Sequence, residues 1–229
     1  MRYTRYELKR KRNNLIFLII AVVIVIAVVL IVKGKHSNID KKDNIRNNTK
    51  IEEQDNESSK NIKEKLAKFY VIQCGVFTSK ENAENLKNSL STYGSPFIVK
   101  KDNKFKVILG IYEDKQLATI MKTLNDNNIE KARVTYEIQK NDLCNMEIAE
   151  IIHANIEVLG KLTEKNVKSI KMDNLKKWTN SLKKVDKNSK NYNALLKLKE
   201  YVKKLPNEIK KENLNTSYVF LFNILNMFK

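Results

Sequence analysis

FYVIQCGVF, residues 69–77, is the stretch on which the fold turns. It is a run of aromatic and β-branched residues, the composition that suits a pleated and partly buried strand, and the period changes immediately after it. Ser79 is a helix N-cap, Ala83, Leu86 and Leu90 recur at the i, i+3, i+7 spacing of one buried stripe, and Gly94 stops the helix. A helix is therefore predicted over Lys80 to Tyr93. Further out, Pro96 to Lys101 reads as a second strand, Lys101 to Lys104 as a polar turn, and FKVILGIY at 105–112 as a third strand, so that the two make a hairpin. Asp114 is expected to cap a second helix with Leu117, Ile120, Met121 and Leu124 on its apolar face, and ARVTYEI at 132–138 closes the series as a fourth strand. The order is βαββαβ, an α+β module of the ferredoxin or RNP type.

An internal duplication supports this order. Val76-Phe77-Thr78-Ser79 ahead of the first helix is echoed by Ile111-Tyr112-Glu113-Asp114 ahead of the second, with Gly75 and Gly110 in equivalent places. Each half alone would leave a sheet edge and a helix stripe uncovered, so the two copies are expected to build one antiparallel sheet with both helices on one face. The other face would then be free to bind. Strand alternation assigns Gln73, Val71, Lys106, Ile108, Arg133 and Thr135 to that free face, a floor of amide, aliphatic and cationic groups. Alternation also turns Cys74 into the core as a small apolar residue, and the spacing gives no support to a disulfide between Cys74 and Cys144.

The flanks place the module. Leu15 to Val32 is an uninterrupted apolar stretch, long enough at about 1.5 Å per residue to cross most of a bilayer core, and reads as a transmembrane helix. No small-x-small cleavage site follows it, which favours an uncleaved signal anchor. Residues 1–14 carry Arg2, Arg5, Lys9, Arg10, Lys11 and Arg12 against Glu7 alone, so this basic tail is expected in the cytoplasm and everything after Val32 outside. Residues 33–66 are too poor in apolar surface to offset the entropy of ordering and read as a tether, spanning about 30 Å. The module proper occupies 67–140. Residues 141–229 repeat helical spacing throughout, with Ile148, Ile151, Ile152 and Leu159, then Leu175 and Trp178, then Leu195, Leu198 and Val202, then Tyr218, Leu221 and Leu225, and are expected to form a separate all-helical bundle.

Composition narrows the function. The 229 residues leave room for small modules and not for a large enzyme. A net charge of +18 favours polyanions without choosing among them, and the Lys, Asn and Ile richness reads as codon bias. The two histidines, His36 and His153, are too few for the His-rich zinc sites of wall amidases, and no phosphate loop or paired-carboxylate context appears. No enzyme, cofactor or metal is therefore expected. RNA-binding RRM domains share the βαββαβ order, but they expose aromatics on the central strand, where Lys106 and Ile108 stand, and the anchor places the module outside the cytoplasm, so nucleic acid is not an expected partner.

The residues resemble the SPOR domain family. The match is Val71-Ile72-Gln73-Cys74-Gly75-Val76-Phe77, the Ser79-capped helix, and Phe105-Lys106-Val107-Ile108-Leu109-Gly110-Ile111-Tyr112, over about seventy residues. The resemblance implies binding to peptidoglycan glycan strands, particularly those stripped of stem peptides, by a bacterial envelope protein enriched at the division septum, with a role in division, sporulation or wall remodelling. A scaffold is the alternative, in which residues 141–229 recruit a division or cell-wall protein and the SPOR-like module only localises it.

Overall fold

The structure, a computed structural model, describes residues 65–228. The basic tail, the apolar stretch Leu15 to Val32 and the tether as far as residue 64 lie outside the described residues. Among the described residues no helix is long and apolar enough to cross a membrane.

The βαββαβ order is present. Strand β1 (Leu66–Phe77) leads to α1 (Lys80–Ser89), the hairpin β2 (Phe97–Lys101) and β3 (Lys104–Tyr112), α2 (Asp114–Asp126) and β4 (Ala132–Gln139). The sheet order is β2-β3-β1-β4, antiparallel throughout. Leu66 and Ala67 belong to β1 and not to the tether, because they pair with Gln139 and Ile138. Local chemistry explains the boundaries. Ser79 Oγ accepts from Asn82 N at 3.4 Å and starts α1. The helix ends sooner than its apolar spacing suggests, tightening into a 3-10 turn at Leu90–Thr92. Asp102 and Asn103 both take positive φ, 52° and 56°, the left-handed pair that a two-residue hairpin needs and that Asp and Asn tolerate. Glu113, not Asp114, is the N-cap of α2, with its N–H donated to Gln116 Oε1 at 3.2 Å.

Helices α1 and α2 cover one face of the sheet. Ile72, Cys74, Val107 and Leu109 pack there with Ala83, Leu90 and Leu124, all buried. The opposite face is not free. Residues 141–228 fold over it as α3 (Leu143–Thr163), β5 (Ser169–Lys171), α4 (Asp173–Ser181), α5 (Tyr192–Lys204), β6 (Glu208–Lys210) and α6 (Leu214–Leu225). Phe69, Val71, Phe97, Val99, Ile108, Tyr136 and Ile138 of the sheet share one apolar core with Ile148, Ile152, Leu195, Leu198, Leu221 and Leu225 of these helices. Aromatic contacts fix the junction: Phe97 stacks on Tyr218 with centroids 5.6 Å apart, Phe222 sits edge-on to Phe97 and Tyr136 at 6.3 and 6.4 Å, and Tyr136 Oη meets Asn226 Oδ1 at 3.0 Å. The helical region is thus a layer on the sheet, and it also contains a two-stranded β5–β6 ribbon that helical spacing does not reveal. Trp178 packs against this core, as its place on the apolar stripe suggests. Cys74 and Cys144 are both buried free thiols.

Candidate functional site

Six residues were expected side by side on an open sheet face, and the structure separates them. Val71 is 1% exposed and Ile108 is 0% exposed, both beneath the C-terminal helices, so neither can touch a ligand. This corrects the expectation of a free face, because the helical layer needs an apolar platform and this is the platform it uses. Arg133 and Thr135 face the other way. They lie opposite Ile72 and Tyr70 in the β1–β4 register, while Val134, Tyr136 and Ile138 face the C-terminal layer. Arg133 instead lies over the Tyr70 ring, 5.8 Å from its centroid. Tyr70 Oη donates to Asp114 Oδ1 at 2.6 Å, and burial together with this hydrogen bond pushes the phenol up to about 12. Only Gln73 and Lys106 remain partly exposed on the intended face.

The fold leaves these two near the hairpin end of the sheet, where the helical cover stops short. Val76 is opposite Lys106 across β1–β3 and is 43% exposed, and Lys106 is opposite Val99 across β2–β3. Alternation from Phe97 and Val99, and from Lys106, puts the cross-strand pair Lys101 and Lys104 on the same face, both exposed. The result is an open strip of Gln73, Val76, Lys101, Lys104 and Lys106.

Gln73 sits within an irregularity that turns the strand. The β1–β3 register shifts between Ile72 and Gln73 and again between Gln73 and Gly75. After it, the alternation is inverted: a side chain on Gly75 would run into Leu86 Cδ2 and Phe77 Cε2 at 2.7 Å, on the helix-covered side. Val76 is thereby released to the opposite face, whereas strict alternation would bury it beside Cys74. The second repeat glycine, Gly110, has the same steric reason, with Tyr112 Oη 2.6 Å from where a Cβ would be. Beyond Gln73, β1 pairs with β3 alone, and its free edge faces an open cleft bounded by Ile129 to Ala132.

Titratable groups elsewhere serve the architecture. His153 Nδ1 is 2.8 Å from both carboxylate oxygens of Glu113, and Nε2 is 3.4 Å from Glu157. The hydrogen bond to Glu113 raises the imidazole above its ordinary value against a smaller opposing effect of burial. This pair ties α3 to the start of α2. Burial pushes the Cys74 thiol up to about 11, so it is not an activated nucleophile. Among the described residues no group of three His, Cys, Asp or Glu side chains could hold a metal ion.

Fold and strip together define a split βαβ module with one helix-covered face and a short accessible end. Residues 66–135 match the SPOR domain family, and this part of the chain is a SPOR domain. No curated protein matches the chain. Among solved structures, the peptidoglycan binding domain of the B. subtilis cell wall lytic enzyme CwlC is similar at 22% identity, covering 30% of this chain and 90% of that one with a TM-score of 0.28.

Proposed function

We propose that the chain binds the glycan strands of peptidoglycan through its SPOR domain and carries out no chemistry on them. The observation that supports this most directly is the SPOR match over residues 66–135 with its glutamine, Gln73, accessible at the open end of the sheet. A sugar polymer offers hydroxyl and acetamido groups together with apolar ring faces. The Gln73 amide can donate and accept, and Val76 beside it gives an exposed aliphatic surface. In this reading Leu15 to Val32 anchors the protein in the cell membrane with residues 33–229 outside, and the protein serves division, sporulation or wall remodelling.

The test is co-sedimentation of the whole chain, in detergent micelles, with purified peptidoglycan before and after amidase removal of stem peptides. Retention that rises on stripping and falls in Gln73→Ala is expected. A wild-type chain that stays in the supernatant with both preparations overturns the reading. The scaffold alternative draws on Leu143, Met146 and Leu196, large apolar side chains exposed on the C-terminal layer. It predicts that Leu196→Glu abolishes septal recruitment in cells while glycan retention is unchanged.

A further inference from the structure

We infer that the three hairpin lysines, Lys101, Lys104 and Lys106, recognise free carboxylates on the glycan, and that this charge contact is what selects strands stripped of their peptides. The inference rests on the glycan-binding reading above and assigns its specificity.

The strip is chemically composite. Lys101 and Lys104 face each other directly across the last pair of the hairpin, and Lys106 follows Lys104 on the same face, about 7 Å further along the strand. Among the described residues none of the three forms an ion pair with a carboxylate, so their ammonium groups are open to a bound anion. Like charges directly opposite on neighbouring strands destabilise a sheet. The tight Asp102–Asn103 turn holds this pair side by side.

The anion is identified by what lies beside the lysines. A phosphodiester polymer or a lipid headgroup would need cations alone. Here the cations continue into an aliphatic surface, Val76, and an amide, Gln73, which suit a sugar ring and an acetamido group. Muramic acid combines all three features, because its lactyl side chain ends in a carboxyl group. In intact peptidoglycan that carboxyl is tied up as an amide to the stem peptide. Amidase cleavage releases it as a carboxylate and places a negative charge on each disaccharide. Lysines can attract this group as point charges without fixed geometry, which suits a flexible lactyl arm.

The test compares retention of the whole chain, in detergent micelles, on three preparations: intact peptidoglycan, amidase-stripped glycan, and stripped glycan whose carboxylates have been converted to methylamides. Wild type is expected to bind stripped glycan on the order of tenfold more tightly than the methylamide form, the scale of one or two partly exposed charge contacts. The variant Lys101→Gln/Lys104→Gln/Lys106→Gln is expected to bind the two alike, with its melting temperature unchanged or raised by removal of the like-charge pair. Gln73→Ala is expected to weaken both equally. Wild-type binding that is indifferent to methylamidation, or a triple variant that keeps the preference, overturns the inference while leaving glycan binding intact. Lysine-dependent binding to polyglycerol phosphate in place of stripped glycan would also overturn it. Failure of wild type to bind any glycan preparation overturns the underlying reading and this one with it.

Discussion

The two faces of the SPOR sheet are buried by different means. One is covered by α1 and α2, which arrive within the βαββαβ repeat itself, and the other by α3 to α6, which come from outside it. The first cover is local in sequence: Ala83, Leu90 and Leu124 belong to helices joined to the strands they cover. The second brings Tyr218, Leu221 and Phe222 back onto Phe97 and Tyr136 across long stretches of chain. On the first face Arg133 and Thr135 of the edge strand β4 stay exposed, while on the second face the accessible part is the end where the cover stops.

If both faces are permanent core, removing the second cover is the most damaging change available. Truncation after Lys140 would expose Phe69, Val71, Phe97, Val99, Ile108, Tyr136 and Ile138 together. The truncated chain is expected to lose cooperative unfolding and to bind a hydrophobic dye, followed by circular dichroism and dye fluorescence. A well-folded monomer from that truncation would mean that the second cover is removable. Single-residue cavities sharpen the same point. Phe222→Ala on the second face and Leu90→Ala on the first are each expected to cost about 3 kcal/mol in denaturant unfolding, since both delete buried side chains from close-packed cores. A much smaller cost for Phe222 would make the C-terminal layer a loose cover.

The covers also differ in polar content. Glu147, buried on α3, is held by Lys199 Nζ of α5 at 2.7 Å, whereas the core under α1 and α2 is apolar. Lys199→Met leaves that carboxylate without its cation and is expected to cost about 2 kcal/mol, somewhat below a fully buried pair because Lys199 is partly exposed. The smallest effect is the pH dependence of the seam between the two covers. The imidazole of His153 is raised in the folded state by Glu113, so its stabilising contribution is complete below the unfolded value near 6.5 and is lost as pH rises through the folded value. His153→Gln should therefore melt lower than wild type at pH 5.5, by less than about 1 kcal/mol of stability, and converge on it at pH 8.5.

Much of the first half of this architecture was legible. Ser79 as N-cap, the β2–β3 hairpin, the apolar stripes of both helices and the paired glycines all depend on neighbours within a few residues, and local rules find them. The open face was misread from the same sequence, although a signal was there. FYVI at 69–72 and VILGI at 107–111 are unbroken apolar runs, the pattern of strands covered on both sides, where a sheet with one free face would alternate, and the structure buries all nine residues. Arg133 and Thr135 were misplaced by one residue of register, and in a strand one residue is the difference between faces.

Local periodicity, capping and composition carry the βαββαβ order, the SPOR match of residues 66–135, and the apolar Leu15 to Val32 stretch with its basic flank. Only the tertiary structure decided that residues 141–228 lie on the sheet, that Val71 and Ile108 are core, and that Gln73, Val76 and three lysines form the accessible strip. Amphipathic spacing specifies that a face must be buried and never against what. That choice depends on the complementarity of apolar surfaces distant in sequence, here Phe97 and Tyr136 against Tyr218 and Phe222.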